Sequence, residues 1–338
     1  MEQAPVTAVD HVRPATPPKR SKTVLAGVFI LIGLPVLLAS MEAVWYQVRN
    51  RSNGTIISSG QEREYLLYVP RSYDRTKPTP LVISMHGAAM WPAAQKESSQ
   101  WNALADESRF IVAYPSGESG DGPRAWNVHP GSGLPMDVRY ISELIDTLSA
   151  AYNIDLTRIY ANGLSNGGGM SFVLSCTLSD RIAAVGTVVA AQTLPFSWCK
   201  DSTPVPMIAF YGTADPVVPY RGGKTWVSPR EFPRATTWAA DWARRNRCGA
   251  NPVDSVIAAD VIRREYSDCA RDATVVLYTI LGGGHTWPGG KGLPEWILGR
   301  NTRSIDATSE MWKFFVAHPL RRSRMPGVPP EVGTAMSR

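Results

Sequence analysis

Arg158-Ile159-Tyr160-Ala161-Asn162-Gly163-Leu164-Ser165-Asn166-Gly167-Gly168-Gly169-Met170 is the stretch on which the reading of this chain turns. A short apolar strand runs into Gly-x-Ser-x-Gly and then into a helix-forming run. On a strained strand-to-helix turn, a serine hydroxyl stands proud of the sheet with a helix N-terminus beneath it. Gly163 and Gly167 fit such a turn, because a side chain at either place would collide with the neighbouring strand or helix. Gly and Ser also make ordinary loops, so the pentapeptide draws its meaning from its place between strand and helix. Ser165 is the candidate nucleophile.

A nucleophile on this turn has its partners in the chain order Ser, Asp, His. Met207-Ile208-Ala209-Phe210-Tyr211 reads as a buried strand, and Gly212-Thr213-Ala214-Asp215-Pro216 places Asp215 on the loop after it. Asp215 could also serve only as a turn cap before Pro216. Thr274 to Ile280 reads as a later strand, followed by Leu281-Gly282-Gly283-Gly284-His285-Thr286-Trp287-Pro288. His285 is one of five histidines. His11 lies in a Pro-rich tail, His318 lies past the last helix, and His129 precedes the nucleophile.

The chemistry follows from these side chains. A serine hydroxyl is a poor nucleophile at neutral pH, so His285 takes its proton during attack. Asp215 fixes the imidazole tautomer and stabilises the imidazolium. The oxyanion needs backbone N–H donors. One is expected from Asn166, the other from the turn His86-Gly87-Ala88-Ala89-Met90 after the strand Pro80 to Met85. Ala88 is the first choice there and Ala89 the second. His86 is expected to brace the loop. No cofactor and no metal enter this chemistry.

Further strands recur between about 60 and 115 and at 158, 185, 207 and 274. Amphipathic helices lie between several of them. One runs over Met136 to Leu148, with Val138, Ile141, Leu144, Ile145 and Leu148 on one face. Strands alternating with helices predict an α/β fold, with a mostly parallel sheet and helices on both faces. Residues 55–318 contain no linker or internal repeat and read as one domain.

Several segments together resemble a known group. They are Glu64 to Pro70, Pro80 to Gly87, GLSNGGGM at Gly163 to Met170, GTADPVVPYRGG at Gly212 to Gly223, GGHTWPGG at Gly283 to Gly290, and Ile305-Asp306-Ala307-Thr308 leading to Phe315. Over about residues 58–318 the chain resembles secreted esterases, which include polyhydroxybutyrate depolymerase-like proteins and feruloyl or acetylxylan esterases. The resemblance implies an α/β-hydrolase fold and the triad Ser165, Asp215 and His285. It implies a serine carboxylic-ester hydrolase that works through an acyl-enzyme. The substrates it implies are short-chain esters or hydroxyalkanoate- or carbohydrate-linked esters. A peptidase or acyltransferase could use the same scaffold, and a non-catalytic, membrane-tethered module that binds polyester or polysaccharide is a third reading. Trp287, Trp126 and Tyr220 lie in loops at the expected catalytic edge and are candidates to wall the substrate site. Trp287 is the foremost of these, two residues from His285.

The net charge of +6 is carried mainly by the tails. Residues 1–23 hold +2 and residues 319–338 hold +3, so the part between is close to neutral. That leaves no nucleic-acid footprint. Both tails are expected to be disordered. Lys19-Arg20-Ser21-Lys22 precedes an uncharged run from Val24 to Met41, with Trp45-Tyr46 beyond it. Residues 24–46 are therefore expected to be a signal anchor or signal peptide. The domain would then be periplasmic or extracellular, with the membrane as a partner if the segment is uncleaved. In an oxidising compartment four cysteines suggest two disulfides, with three possible pairings. Sequence order and the resemblance favour Cys176–Cys199 and Cys248–Cys269.

Overall fold

The computed structural model describes residues 52–118, 124–129, 131, 133–225, 228–291 and 294–321. The expected N-terminal tail (1–23), the apolar segment 24–46 and nearly all of the C-terminal tail lie outside these residues. Among the described residues no helix is long and apolar enough to cross a membrane.

Twelve strands follow in chain order: β1 (Gly54–Ser58), β2 (Gln61–Tyr68), β3 (Thr79–Met85), β4 (Ile111–Pro115), β5 (Ile154–Leu164), β6 (Ala184–Val188), β7 (Met207–Gly212), β8 (Gly223–Thr225), β9 (Ser228–Phe232), β10 (Val253–Ala258), β11 (Val261–Tyr266) and β12 (Val275–Ile280). Ten of them form one sheet in the order β1-β2-β4-β3-β5-β6-β7-β12-β11-β10. The six central strands, from β4 to β12, run parallel. The flanking strands pair antiparallel at both edges. The parallel centre matches the expectation from alternating strands and helices. The β10–β11 hairpin was not anticipated. All of β10 except its last residue is exposed, so its Val253-Asp254-Ser255-Val256 run carries no inward alternation to read.

Seven helices accompany the sheet: α1 (Pro92–Ser99), α2 (Trp101–Ser108), α3 (Gly133–Ala151), α4 (Asn166–Thr177), α5 (Ala235–Arg245), α6 (Glu295–Leu298) and α7 (Ala307–Ala317). Strand side chains alternate between two cores, as the two-residue period requires. From β7, Met207, Ala209 and Tyr211 enter one core, with Leu144 of α3, Phe172 of α4 and Trp242 of α5. Ile208 and Phe210 enter the other, with Trp101 of α2 and Phe315 of α7. Burying both faces accounts for the near-continuous apolar runs of the central strands. Helix α3 extends beyond the expected Met136–Leu148 at both ends, and its Leu134 is also buried. Disulfides join Cys176 to Cys199 and Cys248 to Cys269, the pairing the sequence favoured.

Candidate active site

Strands β3, β5, β6, β7 and β12 end in register at one edge of the sheet. Met85 pairs with Gly163, Leu164 with Val188, and Gly212 with Ile280. The loops carrying His86 to Met90, Ser165, Asp215 and His285 therefore emerge together at the C-terminal ends of the strands, where open α/β sheets bind ligands.

Ser165 sits between β5 and α4 with φ 51° and ψ −114°. This is left-handed backbone for a non-glycine residue, of a kind that costs roughly 1–3 kcal/mol and persists only where surroundings enforce it. The enforcement is visible. A Cβ on Gly163 would lie 2.3 Å from the Gly167 carbonyl carbon, and one on Gly167 would lie 2.3 Å from the Met85 carbonyl oxygen. Only glycine lets the helix start this close to the strands. The Ser165 N–H donates to Val188 O at 2.8 Å, and its carbonyl accepts from Gly169 and Ala191 N–H. Ser165 is half-buried. Among the described residues no hydrogen bond joins its hydroxyl to His285.

Beneath the turn, Ser84, Gln95, Trp101 and Asn162 form a fully buried polar cluster. Asn162 Oδ1 accepts from Ser84 Oγ at 2.8 Å and from Trp101 Nε1 at 3.2 Å, while Gln95 Nε2 donates to Ser84 Oγ at 3.0 Å. These bonds cross-link β3, β5, α1 and α2 directly below the two loops that carry chemistry.

Asp215 and His285 meet with little exposure, 7% and 6%. His285 Nδ1 lies 2.8 Å from Asp215 Oδ2. The other carboxylate oxygen accepts from Val217 and Val218 N–H at 2.7 and 2.8 Å. A carboxylate with both oxygens held cannot rotate away. It accepts the Nδ1 proton and leaves His285 Nε2 for proton transfer. These two bonds are the turn cap that the sequence offered as the other role of Asp215, and one carboxylate makes both them and the contact to His285.

The turn after β3 is braced by His86, which is fully buried. Its Nε2 accepts from Gly117 N–H at 2.9 Å, so Nδ1 carries the proton and donates to Gly87 O at 2.7 Å. Burial pushes this histidine down from 6.5 to about 4, keeping it neutral. The Gly87 carbonyl and the Ala88 N–H share one planar trans peptide and point in opposite directions. Holding the carbonyl therefore aims the Ala88 N–H. That N–H has no partner among the described residues, whereas Ala89 N–H already donates to Arg124 O at 2.8 Å. The geometry thus ranks Ala88 above Ala89 as a free donor. A Cβ on Gly87 would lie 3.5 Å from Ser165 Cβ, so this turn closes directly on the serine. Asn166 N–H, at the first position of α4, has no intrahelical acceptor.

The Asn166 side chain has a role the sequence did not reveal. Its Oδ1 accepts from Trp126 N–H at 2.6 Å and its Nδ2 donates to Trp126 O at 3.1 Å. The next residue, Asn127, is held by Asp137, whose Oδ2 accepts from Asn127 N–H at 2.8 Å. Asp137 in turn pairs with buried Arg63 at 2.8 Å. A chain of polar contacts thus runs from β2 through α3 to the start of α4.

The candidate substrate walls need correction. Trp287 is 1% exposed and packs in the core, with Nε1 donating to Thr308 Oγ1 at 3.0 Å. The turn after His285 carries it inward against α7, so it presents no face to a substrate. Trp126 is also buried; its Nε1 donates to His86 O at 3.1 Å and its ring lies against that of His86. It supports the turn after β3 from beneath. Tyr220 is half-buried, with its hydroxyl 2.9 Å from Thr279 Oγ1.

The chain is similar to known proteins in sequence and in fold. Residues 63–193 match the family model described as Esterase PHB depolymerase. The chain is 34% identical over 236 residues to feruloyl esterase B of Piromyces equi, covering 68% of this chain and 44% of that protein. It therefore spans less than half the length of that relative. It is 27% identical over 264 residues to feruloyl esterase C of Emericella nidulans, covering 75% of this chain and 84% of that one. In fold it is similar to the acetyl xylan esterase from Aspergillus awamori, with a TM-score of 0.56 at 14% identity over 78% of this chain and 98% of that one. That likeness shows the α/β-hydrolase architecture alone. The segment that matches the Esterase PHB depolymerase model contains most of β2, the His86 turn and the Ser165 elbow.

Proposed function

We propose that this protein is a serine carboxylic-ester hydrolase. Ser165 attacks the ester carbonyl and His285 Nε2 takes the hydroxyl proton. The Asn166 and Ala88 N–H groups receive the oxyanion. His285 returns the proton to the departing alcohol, leaving an acyl-enzyme. Water, deprotonated by His285, then releases the acid. Asp215 holds the imidazole in the required tautomer throughout. The observation that carries this reading is the buried His285–Asp215 pair, 2.8 Å apart, at the sheet edge that also bears a strained serine. A binding module has no use for such strain or for a buried pair of this kind.

The substrate class we propose is soluble short-chain esters, hydroxyalkanoate oligomers or carbohydrate-linked esters. The family match and the names of the feruloyl and acetylxylan esterase relatives support it. The test is an ester panel of hydroxybutyrate oligomers, acetylated sugars, feruloyl sugars and nitrophenyl esters, with peptide amides as controls. Acid release from esters and none from amides is expected. Cleavage of amides alone would point to a peptidase. We further propose that the protein is exported and works in an oxidising compartment. The two disulfides favour this, since such bonds are rare in reducing cytosol.

A further inference from the structure

We infer that Trp296 and Glu295 form a platform beside His285 that takes the sugar ring on the alcohol side of the ester. This inference rests on the esterase reading above. Trp296 is 86% exposed, the most exposed large apolar side chain among the described residues, and Ile297 next to it is 48% exposed. A lone exposed apolar side chain is ordinary on a protein surface; here the indole stands with exposed Ile297 and Glu295 on an element tied to the loop that carries His285.

The end of α6 and the residues after it, 298–302, are bonded along the loop that carries His285. The His285 N–H donates to Leu298 O at 2.6 Å, the Gly284 N–H to Arg300 O at 2.8 Å, and the Gly289 N–H to Thr302 O at 3.0 Å. Asn301 Nδ2 adds a bond to Gly290 O at 3.0 Å. A Cβ on Gly284 would lie 2.1 Å from Leu298 O, so glycine there permits the close approach. Trp296 stands two residues before the carbonyl that holds His285's own amide. Its Cα is on the order of 10 Å from that of His285, from chain and hydrogen-bond spacings.

The position selects the part of the substrate. His285 returns its proton to the leaving alcohol, so the alcohol lies on the His285 side of the reacting carbon. The chemistry selects its class. An exposed indole face stacks on the C–H face of a pyranose or furanose. Glu295, exposed in the same turn of α6 and without an ion pair among the described residues, can accept hydrogen bonds from ring hydroxyls. The alkyl group of a simple ester offers no donor for that carboxylate.

The test compares two esters with one acyl group, acetylated xylobiose and ethyl acetate, on the full chain and its Trp296→Ala and Trp296→Phe variants. In Trp296→Ala the KM for acetylated xylobiose is expected to rise about tenfold, with kcat within about twofold and ethyl acetate turnover unchanged. Trp296→Phe, which keeps an aromatic face, is expected to restore most of the loss. An unchanged KM in Trp296→Ala, or equal losses on both esters, would overturn the platform. If the unaltered protein cleaves neither ester and none of the panel above, the esterase reading fails instead. The platform is then judged by xylobiose binding to Ser165→Ala, which must weaken in Ser165→Ala/Trp296→Ala; equal binding overturns it.

Discussion

His285 Nδ1 faces Asp215 Oδ2 at 2.8 Å, and Val217 and Val218 hold the opposite oxygen of that carboxylate. Asp215→Asn keeps an oxygen for the two amides but turns an NH2 toward His285. The imidazole must then accept at Nδ1 and carry its proton on Nε2, where it cannot deprotonate Ser165. Ester turnover should fall on the order of 10⁴-fold with the fold intact, as in the triad proteases. Steady-state kinetics alongside a circular dichroism melt checks this. Loss of less than about tenfold would remove Asp215 from the mechanism.

His86 makes stability depend on pH. Its native pKa of about 4 lies below the ordinary 6.5 because the ring is buried. Below 6.5 the unfolded chain takes up a proton that the native state refuses. Stability from this group is therefore complete above 6.5 and is lost as pH falls toward 4. The loss amounts to about 3 kcal/mol at one pKa unit per 1.36 kcal/mol. Urea unfolding from pH 7 to 4 should show a steeper decline for the native sequence than for His86→Asn. Parallel curves would contradict the assignment. His86→Asn should also slow turnover, since the Gly87–Ala88 peptide loses its brace.

Asn166→Ala retains the N–H proposed for the oxyanion but releases both Trp126 bonds. The buried Trp126 N–H loses its partner, at about 1–3 kcal/mol, while the Trp126 carbonyl keeps the Val128 N–H. A drop of about 1–3 kcal/mol in unfolding free energy is expected, together with a lower kcat from a displaced turn. Unchanged stability would mean that Trp126 is held from elsewhere.

Trp287→Ala should behave as a core truncation. The indole is buried and bonded to Thr308, so roughly 3–5 kcal/mol of stability should be lost. Activity per folded molecule should fall similarly on small and large esters. A selective loss on large esters would restore Trp287 to the substrate wall.

Cys248→Ser with Cys269→Ser opens a loop whose ends are 21 residues apart. In the chain-entropy model such a loop contributes about 3 kcal/mol. Thermal unfolding of the double variant against the oxidised protein measures it. An identical melting temperature would show that the bridge contributes nothing to the native state.

The central sheet and the sites of Ser165, Asp215 and His285 were legible because each rests on a local rule. Strands buried on both faces leave apolar runs, and a strand-to-helix turn needs Gly163 and Gly167 where backbone approaches backbone. The side chains around the site were not legible, because their direction depends on turns that sequence spacing does not fix. Trp287 lies two residues from His285 yet turns inward beneath α7. Trp296, eleven residues on, turns out. Asn166 carried a second role because its side chain meets Trp126, forty residues earlier in the chain. The β10–β11 hairpin escaped notice because an exposed edge strand has no buried face to mark it.

Labelling with a fluorophosphonate probe, followed by peptide mapping, tests the central claim most directly. The account expects one adduct, on Ser165, with ester turnover lost in step, and no adduct and no turnover in a folded Ser165→Ala. An adduct on another serine, or more than a few per cent of turnover left in Ser165→Ala, would contradict it.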